Sequence, residues 1–149
     1  MKNYKDLLIV LHKWEREELG EGFLFLGVEN NELEDFIKRV TKDLNIVLDK
    51  GYLEFLSFTN GLDYDGLVIY GTERYQDENV IMEGFVEANQ EYRQELALAD
   101  YIFYGDENTT RQVFNIKTKR FEIIDRFSWS VISHHDYFDE MLLTAIKKL

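Results

Sequence analysis

Cysteine and proline are both absent from the 149 residues. Without cysteine there are no disulfides, no thiol nucleophile, no thiolate metal site and no iron–sulfur cluster. A reducing compartment suits such a chain. Without proline, turns and helix ends must rest on Gly, Asn and Asp. No segment approaches the ~20 consecutive apolar residues of a membrane-spanning helix. The start, Met1-Lys2-Asn3-Tyr4-Lys5-Asp6, also lacks the basic and then apolar pattern of a signal peptide. The expectation is a protein made and used in the cytoplasm. Positive charge is scarce as well: 17 Lys+Arg stand against 29 Asp+Glu, a formal net charge of −12. That balance repels phosphate backbones and anionic lipid, so neither nucleic acid nor a membrane surface is an expected partner.

With 45% hydrophobic residues the chain can build a core. No linker, internal repeat or low-complexity tract divides it, so residues 1–149 read as one domain. The acidity is local. Four basic residues face ten acidic ones over 21–70 and two face ten over 71–110, whereas seven basic residues outnumber five acidic ones over 111–149.

Tyr4, Leu7, Leu8, Leu11 and Trp14 recur at helical spacing and predict an amphipathic helix over 3–18, ended by Gly20 and Gly22. Asn31 with Glu34 resembles a capping box, opening a helix over 32–45 whose stripe is Leu33, Phe36, Ile37, Val40 and Leu44. Asp49 ahead of Tyr52, Leu53, Phe55, Leu56 and Phe58 predicts a short third helix, closed by Asn60-Gly61. Short β-branched and aromatic runs then predict strands at 67–70, 101–104, 112–116 and 120–124, the last two joined as a hairpin through Lys117-Thr118-Lys119, with a further short strand at 130–132. Phe85, Ala88, Asn89, Tyr92 and Leu96 keep helical spacing over 83–97, and Tyr137 to Leu149 form a last helix capped by Asp136 or Ser133. The fold class expected is α+β: N-terminal helices packed on a mainly antiparallel sheet, with a mid-chain and a C-terminal helix.

Catalytic signatures are missing. There is no Gly-rich phosphate loop of either common kind, and none of the four serines, Ser57, Ser128, Ser130 and Ser133, lies in a nucleophile elbow. His134-His135-Asp136 has metal-ligand residue types, but neighbouring residues on an extended segment point apart, and the entry and cap of the last helix explain them as well. His12 reads as a surface residue of the first helix. Asp63 with Asp65, and Asp106 with Glu107, lie in turns where Asp and Glu cap backbone groups without further function. No metal or other cofactor is expected.

The more informative carboxylates are Glu83, Glu87, Glu91 and Glu95, four apart and so on one stripe of the mid-chain helix. Like charges at that spacing cost about 0.2–0.5 kcal/mol per pair. Together with Asp77, Glu78, Asp106 and Glu107 they form a candidate surface for steering a basic protein partner. A solvated helix face accounts for the same residues.

Residues 52–71 carry a resemblance: Tyr52-Leu53-Glu54-Phe55-Leu56, then Asn60-Gly61-Leu62-Asp63-Tyr64-Asp65-Gly66-Leu67-Val68-Ile69-Tyr70-Gly71. A helix ending in Asn-Gly, a Gly-containing turn and an apolar strand resemble the signature of the SUKH superfamily, the Smi/Knr-like proteins, and in particular its small bacterial YrhA-like branch. Tyr101-Ile102-Phe103-Tyr104-Gly105-Asp106, the hairpin through Val113–Ile124 and Phe138-Asp139-Glu140-Met141-Leu142 look like that family's later strands and closing helix, so the likeness spans about residues 30–148. Where the family usually has Leu-Pro before the Tyr-containing helix, this chain has Leu48-Asp49.

The resemblance implies a SUKH-like α+β domain without catalysis, and an immunity protein that binds and neutralises a cognate toxin, often a nuclease, of a bacterial polymorphic or contact-dependent toxin system. Gly61 and Gly71 match the family's pattern as structural residues. A basic toxin domain would suit the net charge. The alternatives are a housekeeping scaffold or regulatory binding module of the same fold, and an enzyme using carboxylates such as Asp63, Asp65 or Glu107, which would need strongly raised carboxyl pKa values in a closed pocket.

Overall fold

The first helix, α1 (Tyr4–Leu19), starts where the Asn3 side chain accepts the Asp6 amide at 2.9 Å and stops at Gly20, whose φ of 85° a side chain would resist. A computed structural model describes residues 3–78 and 81–149. α1 buries Tyr4 and Leu8, but Trp14 is 55% exposed, so the inward stripe ends a turn earlier than its spacing suggests. α2 (Asn30–Leu44) buries Phe36, Val40 and Leu44. It begins at Asn30 with Glu29 as N-cap and no side-chain cap bond, so the Asn31–Glu34 capping box does not form. α3 (Lys50–Phe58) is capped as expected, with Asp49 accepting the Gly51 amide at 2.8 Å. Gly61, at φ 90°, then turns the chain into the sheet.

The strands are β1 (Leu62–Tyr64), β2 (Leu67–Ile69), β3 (Tyr75–Gln76), β4 (Ile81–Met82), β5 (Tyr101–Asp106), β6 (Thr110–Asn115), β7 (Arg120–Asp125) and β8 (Val131–His135). Among the described residues six of them form one sheet in the order β1-β2-β5-β6-β7-β8, every pair antiparallel, while β3 and β4 form a separate small hairpin. α4 (Phe85–Tyr92) is followed by a 3₁₀ turn at Leu96–Leu98, and α5 (Phe138–Lys147) closes the described chain. The fold is α+β, with N-terminal, mid-chain and C-terminal helices on an antiparallel sheet.

The structure departs from the expected elements at several points. The mid-chain helix covers eight residues, so Glu83 lies before it and Glu95 beyond it. His134 and His135 belong to β8, not to the entry of the last helix. That helix has Tyr137 as N-cap with no side-chain cap, and Asp136 instead pairs with Arg120 at 3.3 Å. β1 and the β3–β4 hairpin were not legible as strands.

One aromatic core ties the layers together. Tyr52 on α3 meets Phe36 of α2, Phe85 of α4, Tyr104 of β5 and Phe138 of α5, with ring centroids 4.9–6.5 Å apart. On the other face of β5, Phe103 stacks on Tyr92 at 3.8 Å, and the Arg111 guanidinium lies 5.0 Å from the Tyr92 ring and 5.3 Å from Trp129. No helix among the described residues is long and apolar enough to cross a membrane.

Candidate functional site

Arg74 is the one cation between Lys50 and Arg93. The chain places it among the carboxylates of the expected acidic stripe. Its guanidinium contacts Glu83 at 2.8 Å and Glu91 at 3.3 Å, and its backbone amide donates to Glu87 at 2.7 Å. The second carboxylate oxygen of Glu87 faces Arg39 at 3.7 Å. Three of the four stripe carboxylates therefore hold the segment 72–75 against α4, and their mutual repulsion is offset by two arginines. The spacing along the sequence showed the stripe but not its counter-charges, because Arg39 and Arg74 come from other elements. Glu95 stays exposed beyond the helix.

The other expected partner-binding residues are dispersed. Asp106, at the end of β5, accepts the Tyr70 hydroxyl at 2.8 Å and faces Arg126 at 3.6 Å. Burial and the neighbouring Asp106 carboxylate hold the Tyr70 hydroxyl well above its ordinary pKa. Glu107 accepts from the hydroxyls of Thr109 and Thr110 at 3.2 and 3.1 Å, local bonds of the β5–β6 turn. Asp77 accepts the Tyr75 hydroxyl at 2.9 Å, and Glu78 is exposed beside it.

Clamping 72–75 creates a groove. The floor is set by Asn60, whose side chain accepts the Thr72 amide at 2.8 Å and donates to the Thr72 hydroxyl at 3.1 Å. Gly71 makes this approach feasible, since a Cβ there would stand 2.9 Å from the Asn60 side-chain oxygen. Opposite runs the segment 25–28, pinned to the end of α3. The Phe25 amide donates to the Thr59 hydroxyl at 3.0 Å, the Asn60 amide to the Leu26 carbonyl at 3.2 Å and the Val28 amide to the Leu56 carbonyl at 2.8 Å. With its backbone held this way, the Leu26 side chain projects outward and is 91% exposed.

The groove encloses about 550 Å³ between Phe25, Leu26, Tyr75 and Met82, and continues as a second hollow of about 330 Å³ along α2 to Asp35 and Arg39. Glu32 and Glu73 border both parts. Glu32, Asp35 and Glu73 make no ion pair among the described residues. None of these three carboxylates was singled out in the sequence, since they come from two separate segments with no common spacing.

His12 is not a free surface residue. Its Nδ1 accepts the amides of Phe23 and Leu24 at 3.0 and 3.1 Å, which folds the chain after α1 back over the helix. Gly22 permits this, because a Cβ there would collide with the imidazole. On β8, His135 bonds the Ser133 hydroxyl at 3.0 Å, and burial lowers its pKa. Among the described residues no three His, Asp or Glu side chains are grouped to hold a metal ion.

Of the turn carboxylates weighed for acid–base work, Asp63 lies exposed on β1 with its pKa raised by desolvation, Asp65 is a left-handed turn residue at φ 50°, and Glu107 is occupied by the two threonines. A different carboxylate is more perturbed by its neighbours. Asp139, in the first turn of α5, is raised by partial burial and then by Glu54 and Asp49. A raised carboxyl favours the protonated folded state, so its penalty is complete at neutral pH and disappears as pH falls through the raised pKa towards 3.8. Asp139→Asn should therefore stabilise the protein at pH 7, by less than about 1 kcal/mol given the solvent screening there. The gain should vanish in acid. Urea unfolding of both proteins across the carboxylate pH range checks this; a gain that persists in acid would assign it to another cause.

No protein-family model matches the chain, and no curated protein matches it.

Proposed function

We propose that this chain is a non-catalytic protein-binding domain, and specifically a cytoplasmic immunity protein that neutralises a basic toxin domain by direct contact. The observation that carries this reading is the groove beside the β3–β4 hairpin. There, exposed apolar side chains lie beside Glu32 and Glu73, which make no ion pair among the described residues, in a chain of net charge −12. Charge complementarity of that kind accelerates encounter with a basic partner, and the embedded apolar groups slow dissociation. The likeness of residues 30–148 to the SUKH superfamily supports the same reading, with a nuclease of a polymorphic or contact-dependent toxin system as the natural target class.

The test is growth rescue. Co-expression with the toxin domain encoded beside its gene is expected to restore growth, and the purified pair to associate more slowly as salt is raised. No rescue against any neighbouring or co-purifying toxin would overturn the immunity reading and leave the housekeeping scaffold or regulatory module.

A further inference from the structure

Which part of an acidic protein meets its partner is decided by where negative charge is left uncompensated and where apolar surface is left uncovered. Among the described residues the two coincide at the groove beside the β3–β4 hairpin, which also encloses room for a partner segment. About half of the expected stripe's charge is offset, because Arg74 spans Glu83 and Glu91 while Arg39 faces Glu87. Both arginines line the groove with their charge engaged by these carboxylates. Arg39 also donates to the Thr72 carbonyl and lies 5.6 Å over the Phe36 ring. What remains along the rim is Glu32, Asp35 and Glu73, each exposed and without an ion pair among the described residues. Between them lies the apolar stretch of Leu26, Tyr75 and the buried Met82.

The geometry points to a docking site for a partner-protein segment in which lysine or arginine side chains flank an apolar one, seated between α2 and the β3–β4 hairpin. This rests on the protein-binding reading above. The apolar side chain packs on the exposed Leu26 and Tyr75, and the flanking cations reach Glu32 and Asp35 on one side and Glu73 on the other. A second copy of this chain fits poorly, since two molecules of charge −12 repel. Nucleic acid and anionic lipid are disfavoured for the same reason. The Glu83–Arg74–Glu91 clamp positions the groove, and Arg74 lines it with its charge engaged by the two carboxylates.

The experiment uses the full chain and two acetylated, amidated pentapeptides: Lys-Trp-Lys-Leu-Lys and its acidic counterpart Glu-Trp-Glu-Leu-Glu. The basic peptide is expected to shift backbone amide signals at 25–27, 32–35 and 72–77, leaving β8 and the exposed face of α1 unmoved, and the acidic peptide to shift none of them. Glu32→Gln combined with Glu73→Gln should weaken the basic peptide ~10-fold or more, two lost charge contacts of about 0.7 kcal/mol each, while Glu95→Gln should not. These residues are exposed, and unchanged unfolding midpoints will show that the variants fold.

Shifts centred elsewhere, or equal shifts with both peptides, would overturn the site. So would a concentration-dependent dimer that protects the groove in sedimentation and exchange measurements, which would assign it to a second copy. Growth rescue separates the two levels of the argument. If the native chain rescues and Glu32→Lys with Glu73→Lys rescues equally, the groove is wrong and the immunity reading stands. If the native chain never rescues while the basic peptide still maps to the groove, the immunity reading fails and the site stands.

Discussion

Truncating Tyr52 to alanine should cost about 3–5 kcal/mol, the range for removing a large aromatic from a packed core. That is a large part of the ~5–15 kcal/mol that holds a domain of this size together. Tyr52 is fully buried, and its ring is shared by α2, α3, α4, β5 and α5 through Phe36, Phe55, Phe85, Tyr104 and Phe138. Its hydroxyl donates to the Tyr70 carbonyl at 2.7 Å, where β2 ends. Tyr52→Phe keeps the ring and orphans only that carbonyl, so it should cost about 1–3 kcal/mol. Urea midpoints at constant slope separate the two variants. A loss below about 1 kcal/mol for the alanine variant would show that the surrounding rings collapse into the space and that Tyr52 is not the hub of the core.

Replacing Asn89 should be nearly as damaging although it removes few atoms. β2 leaves the sheet after Ile69, which exposes the edge of β5 at Phe103. Asn89, 3% exposed on α4, takes the place of the missing strand. Its side chain accepts the Phe103 amide at 2.8 Å, donates to the Phe103 carbonyl at 2.8 Å and donates to the Phe85 carbonyl at 2.9 Å. Asn89→Leu strands the Phe103 amide and carbonyl at about 1–3 kcal/mol each where water cannot reach, for an expected loss of ~2–6 kcal/mol. Asn89→Asp should be worse, since a carboxylate would face two carbonyl oxygens in a buried site. Amide exchange at Phe103 reports the effect directly. Unchanged protection in Asn89→Leu would mean that another group holds this edge.

Both residues show what periodicity can and cannot convey. The spacing of Phe85, Ala88, Asn89, Tyr92 and Leu96 predicts a helix with Asn89 on its apolar stripe; α4 buries Asn89 but ends at Tyr92, and Leu96 lies beyond it, 93% exposed. Nothing in the spacing said that a polar residue there would complete a sheet. The same limit applied to the acidic stripe. Glu83, Glu87, Glu91 and Glu95 align at intervals of four, but the helix ends at Tyr92, and Arg74 arrives from a loop before the β3–β4 hairpin. That hairpin was missed because two-residue strands are too short to show alternation. β1 was missed because Asp63 and Asp65 read as turn residues, and in the fold only Asp65 is one. The sequence shows nothing of what His12 does, because its partners, the Phe23 and Leu24 amides, are backbone groups that carry no side-chain signal.

The sequence by itself determined the α+β class, the helical and the longer strand segments and the local concentration of acid, because these depend on spacing of a few residues and on composition. Tertiary structure decided which carboxylates meet an arginine, where Leu26 is forced outward, and that 25–26, 32–35 and 72–77 share one groove. Those outcomes rest on contacts between segments tens of residues apart. The order of strands and the packing of helices over them set such contacts, and no local pattern encodes them.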